Sequence, residues 1–133
     1  MKFPEQFIKR GKFKLHSGEE SNVFYDVNAL LTNEEHFKNI ILSIPKDDVC
    51  YVGIATGGAI IANHFNPFAM VKDGELKGEI EGEYYLIDDV CTTEGSLNEA
   101  IKIIGKEPKC IFVVVDRRKI KNLKLTSIYG IMD

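Results

Sequence analysis

Residues 84–96, YYLIDDVCTTEGS, followed by LNEAIKIIG, restrict the possible folds more than any other stretch of the chain. Tyr84, Tyr85, Leu86 and Ile87 form an apolar run without polar alternation. That is the pattern of a strand covered on both faces, as in a parallel sheet. The run ends on Asp88 and Asp89, which places two carboxylates at the carboxyl end of a strand, where open α/β sheets bind ligands. Thr92, Thr93, Gly95 and Ser96 then make a small-residue turn into a helix whose apolar positions are Leu97, Ala100, Ile101 and Ile104. Free amides of a first helical turn, the helix dipole and nearby hydroxyls all favour a phosphate at such a turn. The paired carboxylates suit a different partner: they accept hydrogen bonds from sugar hydroxyls, or hold Mg²⁺ directly or through water.

The same order recurs upstream. DVCYVGI, residues 48–54, reads as a buried strand that runs into Ala55-Thr56-Gly57-Gly58 and the apolar helix AIIANHF. NPFAMVK, residues 66–72, predicts a third strand, and residues 109–115 a fourth that ends on Asp116-Arg117-Arg118. The tail adds a last strand through Leu125, Ser127 and Tyr129. Repeated strand, turn and helix units predict an α/β fold with a mainly parallel sheet flanked by helices. Ahead of them, residues 4–10 predict a short helix with Pro4 in its first turn and Gly11 as its stop. A hairpin-like unit follows, with Phe13 and Leu15, a turn at Ser17-Gly18 and the run 23–27. Thr32-Asn33-Glu34-Glu35 predicts the start of a helix with Phe37, Ile40, Ile41 and Ile44 on its apolar face, stopped by Pro45.

At 133 residues, 44% hydrophobic and 28% charged, the expectation is one domain, 1–133, with a single core. A net charge of −3 argues against non-specific attraction to nucleic acid or an anionic membrane. No run approaches a membrane span, and the first residues lack the apolar segment of a secretory signal. Cys50, Cys91 and Cys110 are odd in number and lack C-x-x-C spacing, so they are read as reduced thiols of a cytoplasmic protein rather than metal ligands.

An apolar strand, Asp88-Asp89, Val90, Cys91, Thr92-Thr93 and a Gly/Ser turn resembles the phosphoribosyl pyrophosphate (PRPP) motif of type I phosphoribosyltransferases. The resemblance implies that Asp88, Asp89, Val90, Cys91, Thr92, Thr93, Glu94, Gly95 and Ser96 contact PRPP. Glu94 stands where the family usually has Gly, and a carboxylate there adds repulsion unless it points to solvent. In the family the turn at Ala55, Thr56, Gly57 and Gly58 holds the pyrophosphate. VKDGELKGEIEG resembles a compressed form of the family's mobile catalytic loop: Val71 replaces an Arg, Lys72 keeps the first Lys, Lys77 takes the second, Ile80-Glu81-Gly82 keeps the ending, and no His lies between. A plain β-hairpin around Asp73-Gly74 accounts for the same residues.

The string Phe13-Lys14-Leu15-His16-Ser17-Gly18 and the pair Phe24-Tyr25 resemble one branch of the family, the orotate phosphoribosyltransferases, as does the strand ending in Asp116-Arg117. This implies an orotate pocket of His16, Phe24, Tyr25, Thr92 and Arg117, with His16 in place of a Lys and the guanidinium fork of Arg117 meeting a planar carboxylate. It further implies Lys72, Asp88 and Asp89 as the catalytic set and a reduced hood over the sheet. Mg²⁺ would be bound mainly through substrate, with Asp89 touching it through water, and the protein would be a homodimer. The alternatives are a PRPP- or nucleotide-binding homologue that is inactive or regulatory, and a transferase for another base.

Overall fold

The computed structural model describes residues 1–15 and 17–131, so His16 of the expected orotate pocket lies outside the described residues. An antiparallel pair, β1 (Ile8–Lys14) and β2 (Glu20–Tyr25), comes first, followed by helices α1 (Val27–Leu31) and α2 (Glu34–Ser43). Then come β3 (Cys50–Ile54), α3 (Gly57–Ala62), β4 (Phe68–Lys72), β5 (Glu75–Lys77), β6 (Tyr84–Cys91), α4 (Gly95–Ile104), β7 (Cys110–Asp116) and β8 (Thr126–Tyr129). The six-stranded sheet has the order β5-β4-β3-β6-β7-β8, and every neighbouring pair except β4–β5 is parallel. The α/β class expected from the sequence is the fold observed.

The lack of alternation in β6 has its cause in the packing. Tyr85 and Ile87 face a core that also holds Leu30 of α1, Ile40 of α2 and Ile61 of α3. Tyr84 and Leu86 face the opposite core, with Leu97 and Ala100 of α4. Each fully buried side chain of this kind contributes roughly 1.5–3 kcal/mol, so a polar residue on either face of β6 would be costly. Among the described residues no helix is long and apolar enough to cross a membrane.

One expectation needs correction, and one pair of open alternatives is decided in favour of the plain hairpin. Residues 4–10 do not form a helix: only a 3₁₀ turn at Glu5–Phe7 is present, and the chain passes directly into β1. Ile8, Lys9 and Arg10 pair with Tyr25, Phe24 and Val23, and Gly11, at φ 152°, sits in the irregularity between Arg10 and Phe13. Pairing with a distant partner overrides a weak local helix preference. The segment after β4 is a tight hairpin into β5, with Asp73 at φ 51° and Gly74 at φ 75°. Asp-Gly supplies the two positive φ angles that such a turn requires. The helix start at Asn33 is as expected, with its side-chain oxygen accepting the His36 amide at 3.1 Å. Helix α1 escaped the sequence reading; its only signal was Asp26, whose carboxylate accepts the Ala29 amide at 3.1 Å.

Candidate active site

The strand order reverses direction between β3 and β6, since the chain winds outward from β3 to β4 and then returns to the other side. In open α/β sheets the crevice beyond such a point is where ligands bind. Pairing between the two strands ends at Gly53 with Ile87, while β6 continues to Cys91 against β7 alone. The turn at 55–58 fills the space beside the extended part of β6. It fits because it has no side chains at two positions: a Cβ on Gly58 would lie 2.2 Å from the Ile87 carbonyl oxygen, and one on Gly57 would lie 2.6 Å from Oδ2 of Asp89. The Ala55–Thr56 peptide in this turn is cis.

A cleft of about 380 Å³ opens here. Its floor is Ala55, Thr56 and Gly57 from the first turn and Asp88, Asp89, Val90, Thr92 and Ser96 from the second. Its wall on the hood side is Phe24, Tyr25 and Arg117. Residues expected separately to bind phosphate, sugar and base thus share one cavity of the size that small-molecule sites have. Lys14 and Asn28 also line it and were not among the expected site residues. Lys14 lies within the string that resembled the orotate branch, and its ammonium adds positive charge at a cleft whose position 16 lacks the family's lysine.

Asp88 is 7% exposed, and its Oδ1 accepts the Asp89 amide at 2.8 Å, while Oδ1 of Asp89 accepts the Val90 amide at 2.7 Å. Each carboxylate spends one oxygen on the backbone and is thereby fixed in direction. Burial, then the adjacent Asp89 charge, push the Asp88 carboxyl well above the ordinary 3.8. The two are an oxygen donor set suited to a hard cation that also binds substrate phosphates. Among the described residues no three His, Cys, Asp or Glu side chains converge as a metal cage. A raised carboxyl favours the folded state at low pH: stability is greatest below 3.8 and declines as pH rises through the folded value, because the unfolded chain ionises first. Asp88→Asn keeps the oxygen that accepts the Asp89 amide and removes the charge conflict. It is expected to raise the melting temperature near neutral pH by roughly 2–5 °C and to flatten its pH dependence. A lower melting temperature by calorimetry at pH 7.5 would refute this account of Asp88.

The helix α4 begins at Gly95 with no side-chain cap from Glu94, and the Gly95 amide has only a long 3.4 Å bond to Thr93 Oγ1, so the first turn of the helix is suited to accept an anion. Thr92 and Ser96 line the cleft beside them. Cys91 does not: it is buried, its Sγ donates to the Thr93 carbonyl at 3.1 Å, and its thiol is pushed up to about 12, chiefly by burial. Its thiol has the character of a packing residue, not a nucleophile. The Glu94 side chain points neither into the cleft nor to solvent; it is buried against Arg118, Asn122 and Leu123.

Arg117 is held by the hood. Its Nη1 donates to the Val23 carbonyl at 3.2 Å and its Nη2 to Ser21 Oγ at 2.9 Å, and its guanidinium lies 4.9 Å from the centre of the Tyr25 ring. Nε is buried without a hydrogen-bond partner among the described residues. Lys72 and Lys77 do not line the cleft. Lys72 ends β4, exposed, one position after Val71, whose carbonyl accepts the Ala55 amide at 2.9 Å, so it stands at the same sheet end as the 55–58 turn. Lys77 pairs with Glu75 at 2.6 Å on the exposed hairpin. Val71 is buried in the core and offers nothing to a ligand through its side chain.

No protein-family model matches the chain. Its relatives include the orotate phosphoribosyltransferase of Methanocaldococcus jannaschii, 36% identical over an alignment of 132 positions, gaps included, that covers 83% of this chain and 75% of the relative. That of Pyrococcus abyssi is 33% identical over an alignment of 138 positions, gaps included, that covers 84% of this chain and 75% of the relative. Among solved structures, orotate phosphoribosyltransferase from Aeropyrum pernix superimposes with a TM-score of 0.77 at 25% identity, over 94% of this chain and 89% of that one. Leishmania donovani UMP synthase shares the fold, with a TM-score of 0.71 at 21% identity over 94% of this chain and 34% of that one.

Proposed function

We propose that this chain, which belongs to the orotate phosphoribosyltransferase family, transfers the 5-phosphoribosyl group of PRPP to orotate, giving orotidine 5′-monophosphate and pyrophosphate in pyrimidine nucleotide synthesis. The observation that carries this reading is the single cleft in which Asp88, Asp89, Thr92, Ser96, the 55–57 turn and Arg117 meet. A bond forms from the orotate ring nitrogen to the anomeric carbon, the bond from that carbon to the pyrophosphate oxygen breaks, and the nitrogen's proton is released. The transition state has oxocarbenium character, so the site must tolerate positive charge on the sugar and neutralise a departing anion.

Asp88 and Asp89, aimed by their backbone hydrogen bonds, accept the ribose hydroxyls and lie close enough to the sugar to offset its developing charge. The uncapped amides at the start of α4, with Thr92 and Ser96, take the 5-phosphate. Backbone amides of residues 56–58 take the pyrophosphate, the Ala55 amide being held by the Val71 carbonyl, and Gly57 and Gly58 let this turn seat against Asp89 and Ile87 of β6. Phe24 and Tyr25 flank the base, and Arg117 binds the orotate carboxylate. Asp89, together with the phosphates of the substrate, would hold Mg²⁺, which would supply further neutralisation of that anion. Holding both reactants in one cleft supplies much of the acceleration, because no covalent intermediate is needed. The enzyme works as a cytoplasmic homodimer.

Lys72 is assigned to the leaving pyrophosphate, which it reaches from the end of β4 beside the 55–58 turn. Lys72→Ala is expected to lower turnover at least about tenfold, or about 1.4 kcal/mol. A smaller loss would remove it from the catalytic set. The reading as a whole is tested by titrating the protein with PRPP and Mg²⁺ and following orotate absorbance. PRPP binding with orotate consumption supports it. Binding without turnover would favour the inactive or regulatory homologue, a reading that the short β4–β5 hairpin in place of a long mobile loop makes specific. Turnover of another base alone would reassign the pocket.

A further inference from the structure

Position 94 lies inside the phosphate turn, yet its carboxylate faces away from it. One oxygen, Oε2, accepts three hydrogen bonds: from Arg118 Nη1 at 2.6 Å, from the Asn122 amide at 2.8 Å and from the Leu123 amide at 2.7 Å. Arg118 is gripped from its other side by Asp116, through Nε to Oδ1 and Nη2 to Oδ2, each at 2.9 Å, and its Nη1 also donates to the Leu123 carbonyl at 2.7 Å. Glu94 is 9% exposed and Arg118 8%. Buried charges tolerate such a position only when paired and hydrogen-bonded, as Oε2 of Glu94 and the Arg118 guanidinium are.

Beyond the bonds from the Asn98 amide to the Glu94 carbonyl and from the Arg117 amide to the Cys91 carbonyl, each 2.8 Å, the turn is held by weaker contacts. The Gly95 amide reaches Thr93 Oγ1 only at 3.4 Å, and Cys91 Sγ reaches the Thr93 carbonyl at 3.1 Å, a weak sulfur bond. The backbone at 94 is at φ −91°, which any residue adopts, so the site does not need the glycine that the related motif carries. A flexible turn loses entropy when it closes on a phosphate, and that loss weakens binding. A turn anchored at its centre has already been ordered by folding.

We propose that Glu94 is a positioning residue: clamped by Arg118 and the 122–123 amides, it holds the 92–96 turn preformed for the phosphate of PRPP and draws its own charge away from that phosphate. This rests on the PRPP-binding reading above. The clamp acts on one substrate only. With Glu94 removed, Asp116 still grips Arg118 and the Arg117 amide still donates to the Cys91 carbonyl at 2.8 Å, so the orotate side keeps its frame.

The test compares Glu94→Ala and Glu94→Gln in the full chain, reading PRPP binding by titration with Mg²⁺, both KM values and the melting curve. Glu94→Ala is expected to raise the PRPP KM about tenfold or more while the orotate KM changes less than about threefold. Glu94→Gln, whose amide oxygen can accept from the same three donors, is expected to recover most of that loss. An unchanged PRPP KM in Glu94→Ala, an equal rise in both KM values, or a Glu94→Gln no better than Glu94→Ala would each overturn the clamp. A general loss of folded protein would lower the active fraction without splitting the KM values. If Glu94→Ala melts below the assay temperature, Glu94→Asp, which retracts the accepting oxygen by one methylene, carries the same expected PRPP-specific loss, and an unchanged PRPP KM there overturns the clamp. Wild-type protein that does not bind PRPP refutes the underlying reading together with the clamp; wild-type protein that binds while Glu94→Ala binds equally well refutes the clamp alone.

Discussion

Gly58→Ala is expected to destabilise the protein by about 3 kcal/mol, lowering the melting temperature by roughly 10 °C. The added carbon would lie 2.2 Å from the Ile87 carbonyl oxygen, 2.9 Å from the Asp88 Cα and 3.0 Å from the Ile87 carbonyl carbon. All three belong to the backbone of β6, the strand paired on both sides by β3 and β7, so none can yield alone. Helix α3 would have to lift from the sheet, carrying the pyrophosphate turn with it. Gly57→Ala makes the informative contrast. Its added carbon meets the side chain of Asp89, with Oδ2 at 2.6 Å and Cβ at 2.8 Å, so one side chain has to shift, at the expense of its 2.7 Å bond from the Val90 amide, where Gly58→Ala would have to move strand backbone. That variant is expected to melt closer to wild type and, on the proposed function, to lose PRPP affinity, because the displaced Asp89 is the group assigned there to the ribose. Thermal melts and PRPP titrations of the pair check both arms; a Gly58→Ala protein as stable as wild type would mean that α3 is not seated against β6 as described.

Arg117→Lys is expected to lower kcat/KM for orotate at least about 100-fold, roughly 2.7 kcal/mol, with a much smaller change in the PRPP KM. An ammonium retains the charge, but it cannot lie flat beside Tyr25, reach both Ser21 and Val23 and still present donors to a carboxylate. Sites built to hydrogen-bond a polar substrate group discriminate strongly, since their own buried donors are left unpaired when the match is lost. The buried Nε of Arg117, which has no partner among the described residues, would be such a donor in the proposed function. Steady-state kinetics with orotate varied at saturating PRPP gives the answer. A loss below about tenfold would move base recognition to other residues of the cleft, Lys14 first among them.

The sequence alone determined the parts of this protein that depend on neighbours along the chain. The apolar runs before Ala55, Asp88 and Asp116, the Asp-Asp pair at a strand end, the Gly-rich turns and the Asn33 cap each encode local geometry that sets where a strand stops and a helix begins, and from these the α/β class and the phosphate turn follow. Only the tertiary structure decided what polar groups meet across long separations. Arg117 is fixed by Val23 and Ser21, 94 and 96 residues away, and Glu94 by amides 28 and 29 residues away. The opening segment became a strand because β2 was there to pair with it, and Lys14 and Asn28 reached the cleft because the hood folds over the end of the sheet. The physical reason is common to all of these. A charged or hydrogen-bonding side chain takes its direction from the partner that lowers the cost of burying it, and that partner is chosen by how the sheet and hood pack, which no local pattern records.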